Sequence, residues 1–270
     1  SKDGQTSIMY KAIYPDDIDV SIPYVAPLNT CKVDPRIYEF LENVGTDAER
    51  KKVYEYQIAM FEKKDEILAL IKDSPLGKMK YTMGVERGYD LGVLEFPFAM
   101  WQYGQVKPLE LPDMDDSAKD LLKPFNQVNA MFYFSEPGII QFISHYYQAM
   151  NEMGYYGYDI DPFEKYLPDT EDITWDFTLT PYGLDTTFNP NTLEFMHDFV
   201  QNRGDNMLYI YGEYDTWTAT GVKITGPADA LVMIQPKGYH GSHITGFPEE
   251  DQNRIYAKLS EWLGFTVPVK

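Results

Sequence analysis

Three side chains near the two ends of this sequence have the types that serine-dependent hydrolysis requires. Ser1 stands directly before a helical pattern, Asp215 follows an apolar strand pattern in YGEYDTW, and His240 lies in a glycine-bearing loop, KGYHGSHI. In this chemistry the histidine takes the proton of the serine hydroxyl, and the carboxylate holds the imidazole in the correct tautomer. The three residues therefore predict a catalytic triad that works through an acyl-enzyme on the serine.

Each candidate also has an interpretation without catalysis: Ser1 as a helix cap, Asp215 as a turn residue and His240 as a loop histidine. The combination favours the triad, because serine, aspartate and histidine follow one another in the order found in α/β-hydrolases. Each also lies at the end of a predicted strand or the start of a predicted helix, and open α/β sheets bind their ligands at strand ends. His243 remains an alternative histidine, and the backbone N–H of Lys2, the residue after the nucleophile, is the expected oxyanion donor.

The elements that must carry these residues lie near the two ends of the chain. Residues 4–14 have helical spacing of apolar side chains up to Pro15, and DVSIPYVAPL predicts a buried strand with its exit loop. Residues 190–270 alternate helix and strand patterns. These are a helix in PNTLEFMHDFVQNRG, strands in NMLYIYGEYD and ADALVMIQPKGYHG, and a closing helix in PEEDQNRIYAKLSEWLG.

The middle of the chain is dominated by helical patterns. The clearest is TDAERKKVYEYQIAMFEKKDEILALIKDSPLG, where Thr46 and Glu49 form a capping-box pattern before one long helix. ERGYDLGVLEFPFAMWQYG, with a proline interruption, and PGIIQFISHYYQAMNEMG predict two more helices, and a linker rich in Tyr, Asp and Pro follows. We therefore predict an α/β fold in which residues 1–30 and 190–270 form the core and residues 31–189 form a helical cap insertion with its linker.

The composition excludes several other kinds of site and partner. Acidic residues outnumber basic ones by 42 to 23, which gives a formal charge of −19 and disfavours nucleic acid as a partner. The four histidines lack zinc-type spacing, so neither a metal nor another cofactor is predicted. Cys31 is the one cysteine, which excludes an internal disulfide and predicts a small buried side chain. No apolar run of about eighteen residues is present, so no membrane span is predicted in this chain.

Four stretches cover both ends and the helical part of the chain: SKDGQTSIMYKAIYPDDIDVSIPYVAPL, VLEFPFAMWQYG, YGEYDTW and KGYHGSHI. Together they resemble the secreted streptomycete-type tripeptidyl and prolyl tri- and tetrapeptidyl aminopeptidases, and more distantly the lysosomal prolyl carboxypeptidase group. The resemblance implies an α/β-hydrolase sheet with an inserted, mainly helical cap. It also implies a serine exopeptidase that releases tripeptides or tetrapeptides, including after proline, from peptide substrates outside the cytoplasm, whether secreted, periplasmic or at the cell surface.

The same resemblance implies a role for each member of the triad. Ser1 corresponds to the nucleophile, Asp215 to the orienting acid and His240 to the base. His240 is preferred to His243 because the family places its histidine four positions before an isoleucine, as His240 stands before Ile244.

The sequence departs from the α/β-hydrolase pattern at Asp3, where glycine usually lets the turn at the nucleophile pack tightly. The departure predicts an altered turn and lower activity. Strand patterns are also fewer than the sheet of such a fold needs. We therefore expect this chain to be the carboxy-terminal part of a larger protein. An upstream segment is expected to supply the remaining strands, the second oxyanion donor and the missing glycine.

Glu95 and Trp101 are the candidates for substrate binding in the helical part. Glu95 lies in an apolar stretch, where a buried carboxylate needs a partner. It either anchors the ammonium group at the amino terminus of a substrate or pairs with a neighbouring lysine or arginine. Trp101 and its aromatic neighbours in VLEFPFAMWQYG either form an apolar wall suited to a proline ring or belong to the core.

Two other functions start from the same residues. An amino-terminal-nucleophile hydrolase would use the free amine of Ser1 as its base, which leaves Asp215 and His240 without a role. A non-catalytic peptide-binding protein on a hydrolase scaffold is favoured by Asp3 and by the small number of strands. Acetylation of the Ser1 amine tests the first alternative, and labelling of Ser1 by a fluorophosphonate tests the second.

Overall fold

The computed structural model describes residues 2–168 and 173–269, so Ser1, the predicted nucleophile, lies outside the described residues. The described chain is mainly helical, with two paired strands, β1 (Met207–Gly212) and β2 (Ala230–Gln235). Its α-helices are α1 (Lys2–Ile13), α2 (Arg36–Asn43), α3 (Asp47–Glu62), α4 (Lys64–Ile71), α5 (Pro75–Lys78), α6 (Val85–Tyr103), α7 (Ala118–Val128), α8 (Glu136–Gln148), α9 (Asn191–Asn202) and α10 (Glu249–Leu263).

β1 is buried along its whole length because helices cover both of its faces. Met207, Tyr209 and Tyr211 pack with apolar side chains of α1 and α9. The alternate residues, Leu208 and Ile210, pack against α10. The strand predicted in NMLYIYGEYD is therefore confirmed. Cover on both faces is typical of parallel strands in α/β proteins.

β2 pairs in parallel with β1, with Met207 opposite Ala230 and Gly212 opposite Gln235. The apolar run in its sequence predicts a fully buried strand, but most of β2 is only partly buried, and Ile234 is 49% exposed. Within the described residues β2 has β1 as its one neighbouring strand, so it lies at the edge of the sheet. That position explains why its apolar side chains are incompletely covered.

Residues 20–28, predicted as a buried strand, run along the other side of β1. Isolated parallel bridges join Ser21 to Met207 and Tyr24 to Ile210. Two prolines within the segment have no N–H to donate to a ladder, which prevents a regular strand. Residues 20–28 therefore pair with β1 at isolated positions, but they do not form the regular strand that was predicted.

Tyr211 connects three distant parts of the chain. Its hydroxyl donates a hydrogen bond to the Ala26 carbonyl and accepts one from the N–H of Val222, both at 2.8 Å. The side chain is buried, so these bonds are shielded from water. The segment that follows α1 is thereby fixed to the strand that leads to Asp215.

α6 runs through the core of the helical part, and every residue from Gly88 to Gln102 is buried. The helix continues through Pro97, where the sequence predicts an interruption. Pro97 has no N–H with which to bond the carbonyl of Val93, four residues earlier. Gln57 on α3 supplies the missing donor, with its Nε2 atom 2.9 Å from that carbonyl oxygen.

The long helix predicted after Thr46 is divided at Lys63 into α3 and α4. Its start is confirmed, because Thr46 and Glu49 form a reciprocal capping box. At Lys63 the backbone leaves the helical conformation, with φ −101° and ψ 21°. Apolar residues keep their helical spacing across the division, which is why the sequence does not reveal it.

The described residues also bear on the features considered from composition. Cys31, predicted to be buried, is only partly buried, and its thiol donates to the carbonyl of Val33 at 3.0 Å. Among the described residues, no group of three or more His, Cys, Asp or Glu side chains is placed to hold a metal ion. No helix within residues 2–168 and 173–269 is long and apolar enough to cross a membrane. Helices around a small parallel sheet are compatible with the predicted α/β class. The α/β-hydrolase sheet and the domain limits stay predictions.

Candidate active site

Asp215 and His240 meet at the edge of the sheet where β1 and β2 end. Asp215 follows β1 and His240 follows β2, and the carboxyl ends of parallel strands share one edge. The Nδ1 atom of His240 is 2.8 Å from Oδ2 of Asp215. Asp215 is fully buried, and the side chain of His240 is 16% exposed. A buried carboxylate bonded to Nδ1 fixes the tautomer in which Nε2 can accept a proton.

The loop after β1 holds the Asp215 carboxylate in place. Its Oδ1 atom accepts a hydrogen bond from the N–H of Trp217 at 3.2 Å, within a short 3-10 turn. The hydroxyl of Thr216 donates to the carbonyl of Phe98 at 3.0 Å, which fixes the same loop to α6. One carboxylate oxygen therefore closes the turn while the other contacts His240.

The loop that carries His240 is held from two sides. The backbone N–H of His240 donates to the carbonyl of Gln102 at 2.8 Å. Its ring lies edge-on to that of Tyr103, with 5.7 Å between the centroids. The carbonyl of Gly238 accepts from the N–H of Tyr214 at 2.8 Å, which joins the two loops. The position of the imidazole is thus set by the end of α6 and by the loop after β1.

His243, the alternative histidine, lies apart from this pair. Its side chain is exposed, and its Nδ1 atom is 2.8 Å from the carbonyl oxygen of Gly241. Of the two candidate histidines, His240 is the one that contacts Asp215.

The start of α1 packs tightly against the chain ahead of β1. α1 begins at Lys2, whose N–H is the expected oxyanion donor. A Cβ atom at Gly4 would lie 2.3 Å from the carbonyl oxygen of Tyr24 and 2.6 Å from the Cβ of Ala26. Gly4 therefore permits the start of α1 to lie close to residues 24–26. In α/β-hydrolases the corresponding glycine usually stands one position earlier, where this chain has Asp3. Asp3 is exposed, so its side chain is compatible with this packing.

A cavity of about 240 Å³ lies beside the histidine loop. Gln102 and Tyr103, which contact His240, belong to its wall, as does Trp217 from the Asp215 loop. The rest of the wall includes Lys2, Glu95, Phe98, His145, Tyr155 and Tyr156. The cavity is therefore mainly aromatic, with a few polar groups of defined position, as in sites that bind small ligands.

Glu95 contributes a buried carboxylate to this wall. The hydroxyls of Tyr156 and Tyr158 donate to it, at 3.1 Å and 2.8 Å respectively. Burial raises the pKa of Glu95 to about 8, although both hydrogen bonds act in the opposite direction. Among the described residues its partners are these tyrosines, and no lysine or arginine forms an ion pair with it. Among the described residues, Glu95 therefore does not form the ion pair that was its alternative interpretation.

His145 on α8 adds a second polar group to the cavity. Its Nδ1 atom is buried and has no hydrogen-bond partner within the described parts of the chain. Burial lowers the pKa of His145 to about 4, and the positive charge of Lys2 acts in the same direction. At neutral pH the wall thus holds an uncharged imidazole with an unused hydrogen-bonding atom.

Trp101 does not belong to this wall. It is buried against Tyr214, with the rings edge-on and their centroids 5.4 Å apart, and it lines a second cavity of about 460 Å³. Phe96 packs in the core on Tyr56. Of the aromatic residues in VLEFPFAMWQYG, Phe98 and Tyr103 line the cavity beside His240.

Three polar groups at the candidate site were absent from the predicted site: His145 and Tyr156, which line the cavity, and Tyr158, which donates to Glu95. The two tyrosines lie in a stretch that the sequence pattern assigns to the linker. The signal that points to them is their density, since YYGY places three hydroxyls within residues 155–158. A buried carboxylate such as Glu95 requires hydrogen-bond donors, and these are the nearest candidates by type.

One family model, described as PS-10 peptidase S37, matches the chain over residues 1–270. Among curated proteins the chain is similar to the prolyl tri/tetrapeptidyl aminopeptidase of Streptomyces mobaraensis, with 26% identity over 272 aligned residues. The alignment covers 98% of this chain and 57% of that relative. The chain therefore spans little more than half the length of the relative.

Proposed function

The chain belongs to the PS-10 peptidase S37 family, and from this premise we propose that it acts as a serine exopeptidase on the amino termini of peptides. The observation that carries the proposal is the buried contact between Asp215 and His240 beside the cavity that contains Glu95. A group that can move a proton thus lies next to a cavity that can hold the end of a peptide.

The proposed reaction begins with Ser1. His240 accepts the proton of the Ser1 hydroxyl as its oxygen attacks the peptide carbonyl, and Asp215 stabilises the resulting imidazolium. His240 then gives the proton to the leaving amine, and water hydrolyses the acyl-enzyme. The N–H of Lys2 is proposed to stabilise the oxyanion. Its place at the start of α1 supports this role, because the N–H groups in the first turn of a helix have no partner within the helix.

The substrate's free amino group is proposed to bind Glu95. The Glu95 carboxylate accepts from two neutral tyrosine hydroxyls and can accept from a third donor that carries a positive charge. An ammonium group entering the cavity would favour the ionised form of Glu95. Phe98 and Tyr103 are proposed to contact an apolar residue such as proline, because they line the cavity and Trp101 does not. Release of tripeptides or tetrapeptides is proposed from the sequence resemblance and from the name of the Streptomyces relative.

The remaining part of the fold is also a proposal. We propose an α/β-hydrolase sheet in which an upstream segment pairs with residues 20–28, on the side away from β1. Alternate backbone groups of an extended segment point to opposite sides, and those of Ser21 and Val25 bond to the chain at β1. The other groups are thus directed to a position where a further strand can lie. The domain limits at residues 30 and 189, and a location outside the cytoplasm, are proposed from the sequence resemblance.

The contact between Asp215 and His240 favours the triad over the two alternatives. An amino-terminal-nucleophile mechanism uses the amine of Ser1 and requires no such pair. A peptide-binding protein on the same scaffold has no need of a buried carboxylate on an imidazole.

A fluorophosphonate probe tests the proposal on the protein with any segment that precedes Ser1 retained. We expect covalent labelling of Ser1, loss of labelling in His240→Ala, and retention of labelling in the matched variant His243→Ala. Mass spectrometry of digested peptides should then show short products from free amino termini. A folded protein that binds peptides while Ser1 stays unlabelled would instead establish a binding function. If Ser1 proves to be the amino terminus, loss of activity on acetylation of its amine would indicate the amino-terminal-nucleophile mechanism.

A further inference from the structure

Two polar side chains in the wall of the cavity beside His240 have no part in the proposed reaction. These are the side chains of Lys2 and His145, which both line the cavity. The positive charge of Lys2 lowers the pKa of His145, so the ammonium group lies close enough to the imidazole for its charge to act there. This part of the wall therefore combines a cation with a ring that can form hydrogen bonds.

The ammonium group of Lys2 is partly withdrawn from water and has no direct counterion. Burial lowers the pKa of Lys2, while the charges of Glu152 and Asp3 act in the opposite direction from a distance. Glu152 accepts a hydrogen bond of 3.0 Å from the hydroxyl of Thr192, and Asp3 is exposed. Within residues 2–168 and 173–269, no carboxylate forms an ion pair with Lys2. An anion bound here would offset the cost of burying the ammonium group.

His145 supplies a hydrogen-bonding group that the described chain leaves unused. Its Nδ1 atom is buried and has no partner among the described residues. Its ring lies edge-on to that of Tyr155, with 5.4 Å between the centroids, which limits its movement. A buried nitrogen without a partner is destabilising until another group bonds it. A neutral imidazole carries one N–H, which can donate to a carboxylate oxygen.

Two further features make this part of the cavity favourable for an anion. α1 begins at Lys2 and is twelve residues long, and the first turn of a helix carries a partial positive charge. Glu95, the acidic residue of the wall, has its pKa raised to about 8 by burial. At neutral pH Glu95 is therefore uncharged in the empty cavity and does not repel an anion.

We propose that the side chains of Lys2 and His145 form a subsite that binds a carboxylate group. The Lys2 ammonium pairs with the carboxylate, and an imidazole N–H of His145 donates to one of its oxygens. The proposal rests on the proposed exopeptidase function, which supplies two carboxylates that can reach the cavity. One is the new carboxylate of the released peptide, and the other is the side chain of an aspartate or glutamate in the substrate.

Hydrolysis of the acyl-enzyme forms the first of these carboxylates. The oxygen of water bonds to the acyl carbon, the bond from that carbon to the Ser1 oxygen breaks, and one proton of the water returns to Ser1 through His240. The carboxylic acid then releases its own proton to solvent. Because Lys2 directly follows the nucleophile, retention of the carboxylate by Lys2 and His145 predicts inhibition by the product.

Trialanine and trialaninamide test the subsite on the unaltered protein, with any segment that precedes Ser1 retained. The two peptides share a free amino group and differ in a carboxylate against a carboxamide. If the subsite holds the released peptide, trialanine should inhibit hydrolysis of a peptidyl p-nitroanilide about tenfold or more strongly than trialaninamide, the size of one charged hydrogen bond.

Peptidyl p-nitroanilides with glutamate or glutamine at each position in turn test the other source of the carboxylate. If the subsite holds a side chain, kcat/KM should favour glutamate at one position by about tenfold, and the two trialanine peptides should inhibit equally. Equal inhibition by the two peptides together with equal rates for glutamate and glutamine would overturn the subsite.

Variants assign the observed preference to the two side chains. Lys2→Met removes the ammonium group and keeps the backbone N–H, and His145→Phe keeps a ring without its nitrogens. Each should remove most of the preference, whereas Lys119→Met, an exposed lysine on α7, should leave it unchanged. The preference is a ratio within one variant, so a smaller active fraction does not alter it. A preference that survives in both Lys2→Met and His145→Phe would overturn the assignment.

The subsite and the exopeptidase function fail in different ways. Labelling of Ser1 and cleavage of peptides without either preference would overturn the subsite and leave the function intact. Absence of both labelling and cleavage in folded protein would overturn the function. Calorimetric titration with trialanine and trialaninamide then decides the subsite without catalysis: tighter binding of trialanine supports it, and equal binding overturns it.

Discussion

Gln57 donates a hydrogen bond of 2.9 Å from its side-chain amide to the backbone carbonyl of Val93. That carbonyl is the acceptor that Pro97 leaves without a donor inside α6. A side chain from α3 thus replaces a main-chain hydrogen bond of another helix. The arrangement keeps α6 continuous through a proline at the level of the candidate site.

Replacement of Gln57 by leucine should destabilise the protein by about 1–3 kcal/mol, because the buried carbonyl of Val93 is left without a partner. Pro97→Ala in the Q57L background restores a main-chain N–H to that carbonyl and should recover most of the loss. Urea unfolding of the two single variants and the double variant gives the interaction energy. Additive effects in this cycle would show that Gln57 does not substitute for the missing helix bond.

Asp215→Asn should reduce kcat by about ten-thousandfold while the fold is retained, because an amide on Nδ1 favours the wrong tautomer of His240. Its Oδ1 atom can still accept from Trp217, so the loop is expected to keep its shape. His243→Ala is the control on the same loop and should change kcat by less than about threefold. A similar loss in both variants would indicate a disturbed loop rather than a triad.

Glu95 should make the stability of the protein depend on pH. Burial raises its pKa from 4.5 to about 8, so between these values the folded state holds a proton that the unfolded state has released. The free energy of unfolding of the wild type, relative to Glu95→Gln, should therefore fall by about 1.4 kcal/mol per pH unit as the pH rises through this window. Below pH 4.5 and above pH 8 the difference should be constant. Urea unfolding at pH 5, 6, 7 and 8 measures it, and parallel curves for the two proteins would exclude the raised pKa.

The same carboxyl should make substrate binding depend on pH. Below about pH 8 Glu95 carries a proton, which must be released before the carboxylate can pair with an ammonium group. The KM of a free-amine tripeptide, relative to that of its acetylated form, should rise as the pH falls from 8 to 6. The ratio cancels any effect of pH that acts on both substrates alike. A ratio independent of pH would argue against pairing with Glu95.

Gly4→Ala should destabilise the protein although alanine favours a helix by about 1 kcal/mol over glycine. The added Cβ would lie 2.3 Å from the Tyr24 carbonyl oxygen, a backbone atom that cannot move without shifting the chain beside β1. Gly241→Ala, whose Cβ would meet open space, is the matched control. Calorimetry should show a lower Tm in the first variant and a nearly unchanged Tm in the second. A higher Tm for Gly4→Ala would mean that the start of α1 can move away from Tyr24.

The sequence was informative where a local rule decides the structure. The capping box at Thr46 and the strand before Asp215 follow from local residue types and spacing, and both are present. Chain order and strand ends likewise bring Asp215 and His240 together, because parallel strands share one edge. Their catalytic role, and that of Ser1, stays a prediction.

Other features depend on contacts between distant residues and were not predictable in this way. The unpaired atom of His145 and the donors to Glu95 arise from tertiary packing, and the stretch that carries Tyr156 and Tyr158 has no periodicity. Ile234 is partly exposed because its strand lies at the edge of the described sheet, which the apolar side chain itself does not reveal. Continuity of α6 through a proline depends on a side chain forty residues earlier in the sequence.

The hydrogen bond from the Tyr211 hydroxyl to the Ala26 carbonyl joins two segments that residues 31–189 separate in sequence. It fastens Ala26 directly to the strand before Asp215, and the bond from Val222 to the same hydroxyl adds the segment after that loop. The junction between the segment after α1 and the strand before Asp215 therefore has a fastening of its own, while the loops of Asp215 and His240 also rest on α6. Substitutions in the helical part away from α6 should leave this junction in place, whereas changes to α6 itself should disturb the imidazole first.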